Sequence, residues 1–308
     1  MAGDLPHRPR PVRLSPLRTP TEFVRTASPE ALFAIAGISQ YTGAVVAVNL
    51  FEEIRPATVA WFRVSSAALL LMAVSWRQVH ARWSRVELRS AAFFGIATAL
   101  MNLFFYLALD RLPLGKSVVI EFIGPIAVAA AYTRNARNSA ALALAAIGVA
   151  TLSGVELGGE PWGIVFILTA SALWAVYIIL GRRVAHLDRG MAGLGIGLAI
   201  GSLTILPFGI SGSGVVFSDG RLLLMCVAVG ALSSAIGYGI DQVVLRRIPV
   251  RRFAVLLALL PVSAMVLGYL ALSQTPSPLD LLGAALVIAG VLIQEREELT
   301  PTPEEIPA

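Results

Sequence analysis

A succession of about ten apolar runs, joined by short charged turns, constrains this chain more than any other feature. The runs fall at about 31–50, 57–75, 90–109, 114–132, 139–154, 161–180, 190–210, 221–245, 253–272 and 279–294. A membrane-crossing helix needs about 20 predominantly apolar residues, and 308 residues hold roughly ten of them. Only 14% of the residues are charged and the mean hydropathy is +0.77, far from the balance of a soluble chain. A β-barrel would show short alternating segments instead. The expected fold class is an all-α polytopic membrane protein of ten transmembrane helices.

The basic residues set the direction of threading. With the N-terminus inside, the inner segments hold 19 of the 24 basic residues, from Arg8 through Arg77, Arg134, Arg182 and Arg246 to Arg296. The outer loops hold Arg55, Arg111, Lys116 and Arg221, and Arg63 lies within a span. Cytoplasmic loops carry this excess, so both termini are expected in the cytoplasm. The net charge of +5 then reflects topology and not nucleic acid. Trp76, Trp83 and Trp162 lie near span ends, as interfacial tryptophans do. Cys226 is the single cysteine and forms no disulfide within the chain.

Two halves of the chain resemble each other. Laying the segment around LPLGKSVVIEFIGPIAV on that around IPVRRFAVLLALLPVSA puts Pro113 on Pro249, Pro125 on Pro261 and Arg111 on Arg247. Five spans per half is an odd number, so the two copies would be inverted in the membrane. Inverted repeats mark secondary transporters, with the substrate path near the midplane. The expected organisation is a basic disordered tail at 1–29, a first repeat at 30–155, a second at 156–294 and an acidic tail at 295–308.

Polar residues inside the spans mark candidate sites. Glu121 sits in VVIEFIGPIAV, and a carboxylate at membrane depth costs about 2.5–3.5 kcal/mol on insertion scales, so it faces a cavity or a partner. Gly124 permits close backbone approach, and Pro125 removes the hydrogen bond to the carbonyl of Glu121. A kink is expected there and at Pro261. Arg63 either snorkels outward or holds a carboxylate bidentately. Asp241 either carries function or pairs with nearby Arg246. Asn102, Tyr106, Trp174, Tyr177 and Tyr238, with Gln40, Tyr41 and Gln242, bring polar tips into spans and together point to a polar cavity. Gly193, Gly197 and Gly201 form a small-residue stripe that packs within the chain or between two copies as a homodimer. LGKS at 114–117 ends like a phosphate loop, but Asp110 stands where its first glycine belongs. No ATP-binding domain, cofactor or metal cluster is expected, and transport would run on a gradient.

Three stretches, LPLGKSVVIEF, IEFIGPIAVA and SALWAVYIILGRR, resemble the threonine and homoserine exporter branch of the EamA family, in the drug/metabolite transporter superfamily. Glu121, Phe122, Gly124 and Pro125 match its Glu-Phe-x-Gly-Pro stretch, and Trp174, Ala175 and Tyr177 match its sixth helix. Arg63 matches an arginine common in the second helix of the superfamily. Asp241 stands where that exporter has Glu, Leu173 where it has Cys, and the long basic tail is a departure. The resemblance covers about residues 31–294. It implies a bacterial inner-membrane antiporter that exports amino acids or related metabolites, driven by proton exchange, with two inverted five-helix repeats around a central cavity. Its expected partners are a small-molecule substrate, the proton gradient and lipid. A phosphate-ester exchanger of the same superfamily would want more cavity-facing cations, and a membrane transferase would want a cluster of reactive side chains at one membrane face.

Overall fold

The computed structural model describes residues 26–112, 117, 120–152, 160–187, 189–263 and 276–293, and these are helices joined by turns. The two tails, Pro113, Lys116 and the later part of the ninth run lie outside the described residues.

Prolines and caps decide where the helices begin. Helix α1 (Pro29–Leu50) starts with proline in its first turn, and the Ser28 side chain accepts from the Ala31 N–H at 3.2 Å. Proline at this position costs no hydrogen bond, because the first amides of a helix have no partner within it. Pro56 opens α2 (Pro56–Val74) the same way. A short turn of helix, α3 (Trp76–Val79), follows. Ser84 and Glu87 then form a reciprocal capping box at the start of α4 (Arg85–Leu109). Next come α5 (Ile123–Ala131), α6 (Ala136–Leu152) and α7 (Pro161–Ala185). Helix α8 (Gly190–Gly209) runs through a 3-10 turn into α9 (Ser213–Ser218). Helix α10 (Gly220–Val229) passes without a break into a π-helical segment, Gly230–Ile236, and then α11 (Gly237–Leu245). Helices α12 (Val250–Leu256) and α13 (Pro278–Ile293) complete the described chain.

Among the described residues six stretches are long and apolar enough to cross a membrane: Pro29–Leu50, Pro56–Val74, Arg85–Leu109, Pro161–Ala185, Gly190–Ser218 and Gly220–Leu245. The fourth, fifth, ninth and tenth expected spans fall on α5, α6, α12 and α13, whose described residues are shorter than a full crossing. Large apolar side chains such as Leu69, Phe93, Leu203 and Leu224 face outward, while Arg63, Asn102, Asp241 and Gln242 are buried. Lipid tolerates that arrangement, and water would not favour it.

The helices pack in a definite set of pairs. Helix α4 lies against α7 and α8, and α8 also lies against α2. The α10–α11 run packs on α1 and α2, α5 packs on α12 and α7, and α6 packs on α13. The glycine stripe of α8 serves the α4–α8 seam. A Cβ on Gly95 would collide with the Gly197 carbonyl, and one on Gly201 with the Gly95 carbonyl. The stripe therefore joins helices within the chain. Gly193 is the exception, facing Val184 and Leu187 at the end of α7.

Candidate functional site

A cavity of about 90 Å³ opens among α1, α2, α4, α7, α11 and the two helix breaks at Phe122 and Leu257. One bound water needs about 10–15 Å³ on this measure, so the space suits several waters or a small solute. Its apolar wall includes Ala44, Met101, Phe105, Phe122, Leu257 and Leu260. Its polar wall holds Gln40, Tyr41, Arg63, Asn102, Glu121, Trp174, Tyr238 and Asp241.

Arg63 does not snorkel. It is buried, and three hydroxyls hold it: Nε donates to Ser234 Oγ at 2.8 Å, Nη1 to Tyr106 Oη at 3.2 Å and Nη2 to Tyr238 Oη at 3.2 Å. The guanidinium carbon lies 5.5 and 5.9 Å from the centroids of the two tyrosine rings, which adds a cation–π component. A guanidinium has five N–H groups. Three are used in these bonds, which leaves one N–H on each terminal nitrogen without a partner among the described residues and available to a carboxylate. Gly230 makes this approach of α2 possible, since a Cβ there would sit 2.7 Å from the Arg63 carbonyl.

Asn102 fixes the proton on Tyr238. Its Nδ2 donates to the Thr98 carbonyl at 2.7 Å, so its Oδ1 is the acceptor for the Tyr238 hydroxyl at 3.1 Å. The Tyr238 oxygen is then free to accept from Arg63 and from Asn102 Nδ2. One turn further along α11, Asp241 Oδ2 accepts from the Tyr177 hydroxyl at 2.6 Å. Asp241 Oδ1 is buried without a hydrogen-bond partner among the described residues, as are both amide atoms of Gln242. The arginine near Asp241 in sequence does not bond it: Arg246 Nη2 donates to the Leu187 carbonyl at 3.3 Å.

Glu121 ends a helical turn, Phe122 keeps right-handed helical dihedrals but interrupts the hydrogen-bonded helix, and α5 begins at Ile123. The break follows from Pro125, whose nitrogen has no proton for the Glu121 carbonyl. Gly124 presses against α7, where its N–H donates to Ser171 Oγ at 2.8 Å, and the Phe122 ring meets Trp174 edge-on at 5.0 Å. Leu257 and Ala258 form the corresponding break before Pro261. The Glu121 carboxylate makes no hydrogen bond among the described residues and faces the cavity.

The site thus gathers Arg63, Glu121, Asp241, Asn102, Trp174 and Tyr238 on its wall, with Tyr106 and Tyr177 directly behind. Sequence reading passed over Ser234 and Ser171. Ser234 lies four residues before Tyr238, so the two share one helix face, and that spacing was the available signal. Ser171 left none, because its role is set by a backbone amide on another helix.

Comparison with known proteins gives three kinds of finding. Residues 161–294 match the EamA-like transporter family. The threonine/homoserine exporter RhtA of Escherichia coli (strain K12) is 32% identical over 268 residues, covering 85% of this chain and 89% of the exporter. RhtA of Salmonella typhimurium (strain LT2) is 32% identical over 270 residues, with the same coverage of 85% and 89%. A solved crystal structure of a protein 19% identical superposes with a TM-score of 0.68, over 87% of this chain and 96% of that one. It shares the fold.

Proposed function

This chain belongs to the EamA-like transporter family, within the drug/metabolite transporter superfamily, and from that premise we propose that it exports small amino acids of the threonine and homoserine kind in exchange for protons. It is a multi-pass membrane transporter and not an enzyme. The observation that carries the reading is a single cavity whose polar groups complement a zwitterion. Among the described residues Arg63 keeps two N–H groups for a carboxylate, and the Glu121 carboxylate, which makes no hydrogen bond there, can take an ammonium. In the proposed cycle Glu121 holds either a proton or the substrate ammonium, never both, and Arg63 orients the substrate carboxylate. Competition for one carboxylate couples the two fluxes, and alternating access carries each across.

The same reading takes the chain as ten spans in two inverted repeats, 30–155 and 156–294, with both termini in the cytoplasm. Three features support it. Exchanging each helix of one half for its counterpart carries major packing pairs into one another: α4 on α7 becomes the α10–α11 run on α1, and α8 on α4 becomes α2 on that run. Asn102 and Tyr238, which bond each other, are 136 residues apart, as are Glu121 and Leu257 on the cavity wall and Pro125 and Pro261 beside them. Arg111 and Arg247 keep the same interval, and each reaches the start of a neighbouring helix, at Glu160 before α7 and at the Ala27 carbonyl before α1.

The direct test is a growth-protection and efflux screen with threonine, homoserine, aromatic amino acids and toxic analogues, run with and without a proton gradient. Gradient-dependent efflux of the first two is the expected result. Failure of every amino acid would overturn the proposal.

A further inference from the structure

We infer that Asp241 reads the side chain of the substrate and selects amino acids that end in a hydrogen-bond donor. The inference rests on the transport reading above and assigns a role that Glu121 and Arg63 leave open. Those two groups match the ammonium and carboxylate that every amino acid shares, so they cannot tell one from another. Asp241 is a third charged group on the same cavity wall. Its Oδ2 is fixed by the Tyr177 hydroxyl at 2.6 Å, so the carboxylate does not turn freely. Its Oδ1 is buried and has no hydrogen-bond partner among the described residues. A buried acceptor left unpaired is costly, and an aliphatic side chain in the cavity would keep it so. A hydroxyl or amine would pair with it.

Asp241 lies three residues beyond Tyr238 on the same helix, and Tyr238 is one of the groups holding Arg63. A substrate with its carboxylate on Arg63 therefore occupies the same small cavity that Asp241 lines and can present its side chain there. Sites built to bond a substrate hydroxyl reject the analogue lacking it far more strongly than apolar pockets reject an extra methylene. Tyr177 is a positioning residue here, since it acts through Asp241.

The test uses two isosteric pairs, threonine against valine and homoserine against norvaline, as competitors of labelled threonine in proteoliposomes. The wild-type protein should favour the hydroxyl member of each pair by about tenfold or more. The double variant Asp241→Leu with Tyr177→Phe removes the acceptor without stranding the tyrosine hydroxyl. It should weaken threonine and homoserine more than valine and norvaline and so reduce both preferences to about twofold or less. Asp241→Asn keeps the shape and the tyrosine bond but replaces a charged acceptor by a neutral amide, whose hydrogen bonds are about half as strong. Its preference should fall to an intermediate value, and it serves as the readout if the double variant does not fold. Unchanged preference in the variants overturns the inference. So does an equal loss of threonine and valine, which would make Asp241 the ammonium site. A wild-type protein that carries all four equally refutes this inference while leaving export standing, and one that carries none refutes the transport reading itself.

Discussion

A guanidinium inside a bilayer is costly on every scale, and Arg63 offsets that cost with three charge-assisted hydrogen bonds to Ser234, Tyr106 and Tyr238. Each such bond is worth about 1.5–3 kcal/mol net. Removing the Ser234 hydroxyl leaves the Arg63 Nε–H buried and unpaired, so Ser234→Ala should lower the melting temperature in detergent. Arg63→Lys keeps the charge and loses the planar fork. We expect kcat/KM for threonine efflux to drop about 10–100-fold, a loss of about 1.4–2.8 kcal/mol in transition-state stabilisation. Wild-type efflux by the lysine variant would rule out a bidentate grip. The sequence marked Arg63 as an unusual charge among AWFRVSSAALLL but left open whether it snorkels outward or holds a carboxylate. Which partners it finds was not legible, since Ser234 and Tyr106 become neighbours only when α2, α4 and the π-helical segment close around it.

At the scale of helices, small residues and prolines carry the design. Gly95, Gly197 and Gly201 let α4 and α8 approach until backbone meets backbone. Overpacking a filled interior costs about 1–3 kcal/mol, and a side chain against a carbonyl can only be relieved by parting the helices. Gly197→Ala should therefore lower the melting temperature clearly. Gly214→Ala is the control, because nothing lies within 4 Å of its added Cβ, and its melting temperature should not move. The stripe itself was visible in the sequence, but a spacing of four marks a face without naming what covers that face. The breaks at Phe122 and Leu257 were readable from Pro125 and Pro261 for the opposite reason: a missing N–H acts on the carbonyl four residues earlier, within one helix. The π-helical register of Gly230–Ile236 left no such local sign. It places Ser233 against the Gln40 carbonyl and Ser234 against Arg63, bonds to two other helices.

For the whole molecule, ion pairs sit at both ends of the helix bundle. Arg111 meets Glu160 at 3.2 Å at the start of α7, and Arg252 meets Glu30 at 2.5 Å at the start of α1. Partly exposed pairs are worth up to about 1 kcal/mol, enough to bias two conformations of a transporter and too little to hold the fold. Neutralising either pair, by Glu160→Gln or Glu30→Gln, should leave the melting temperature nearly unchanged. It should speed alkylation of a cysteine placed at Ala44 on the cavity wall, in a chain carrying Cys226→Ser. Labelling at the wild-type rate in both variants would mean that these pairs do not close the cavity.

The central claim is that one carboxylate, Glu121, exchanges a proton for the substrate. It is tested most directly by threonine uptake into inside-out membrane vesicles, with and without an acid lumen, for the wild-type protein and for Glu121→Gln. The wild type should accumulate threonine only when the lumen is acid, while Glu121→Gln should at most equilibrate threonine, at a rate that ignores the gradient. Acid-driven accumulation by the variant at the wild-type level would contradict the account.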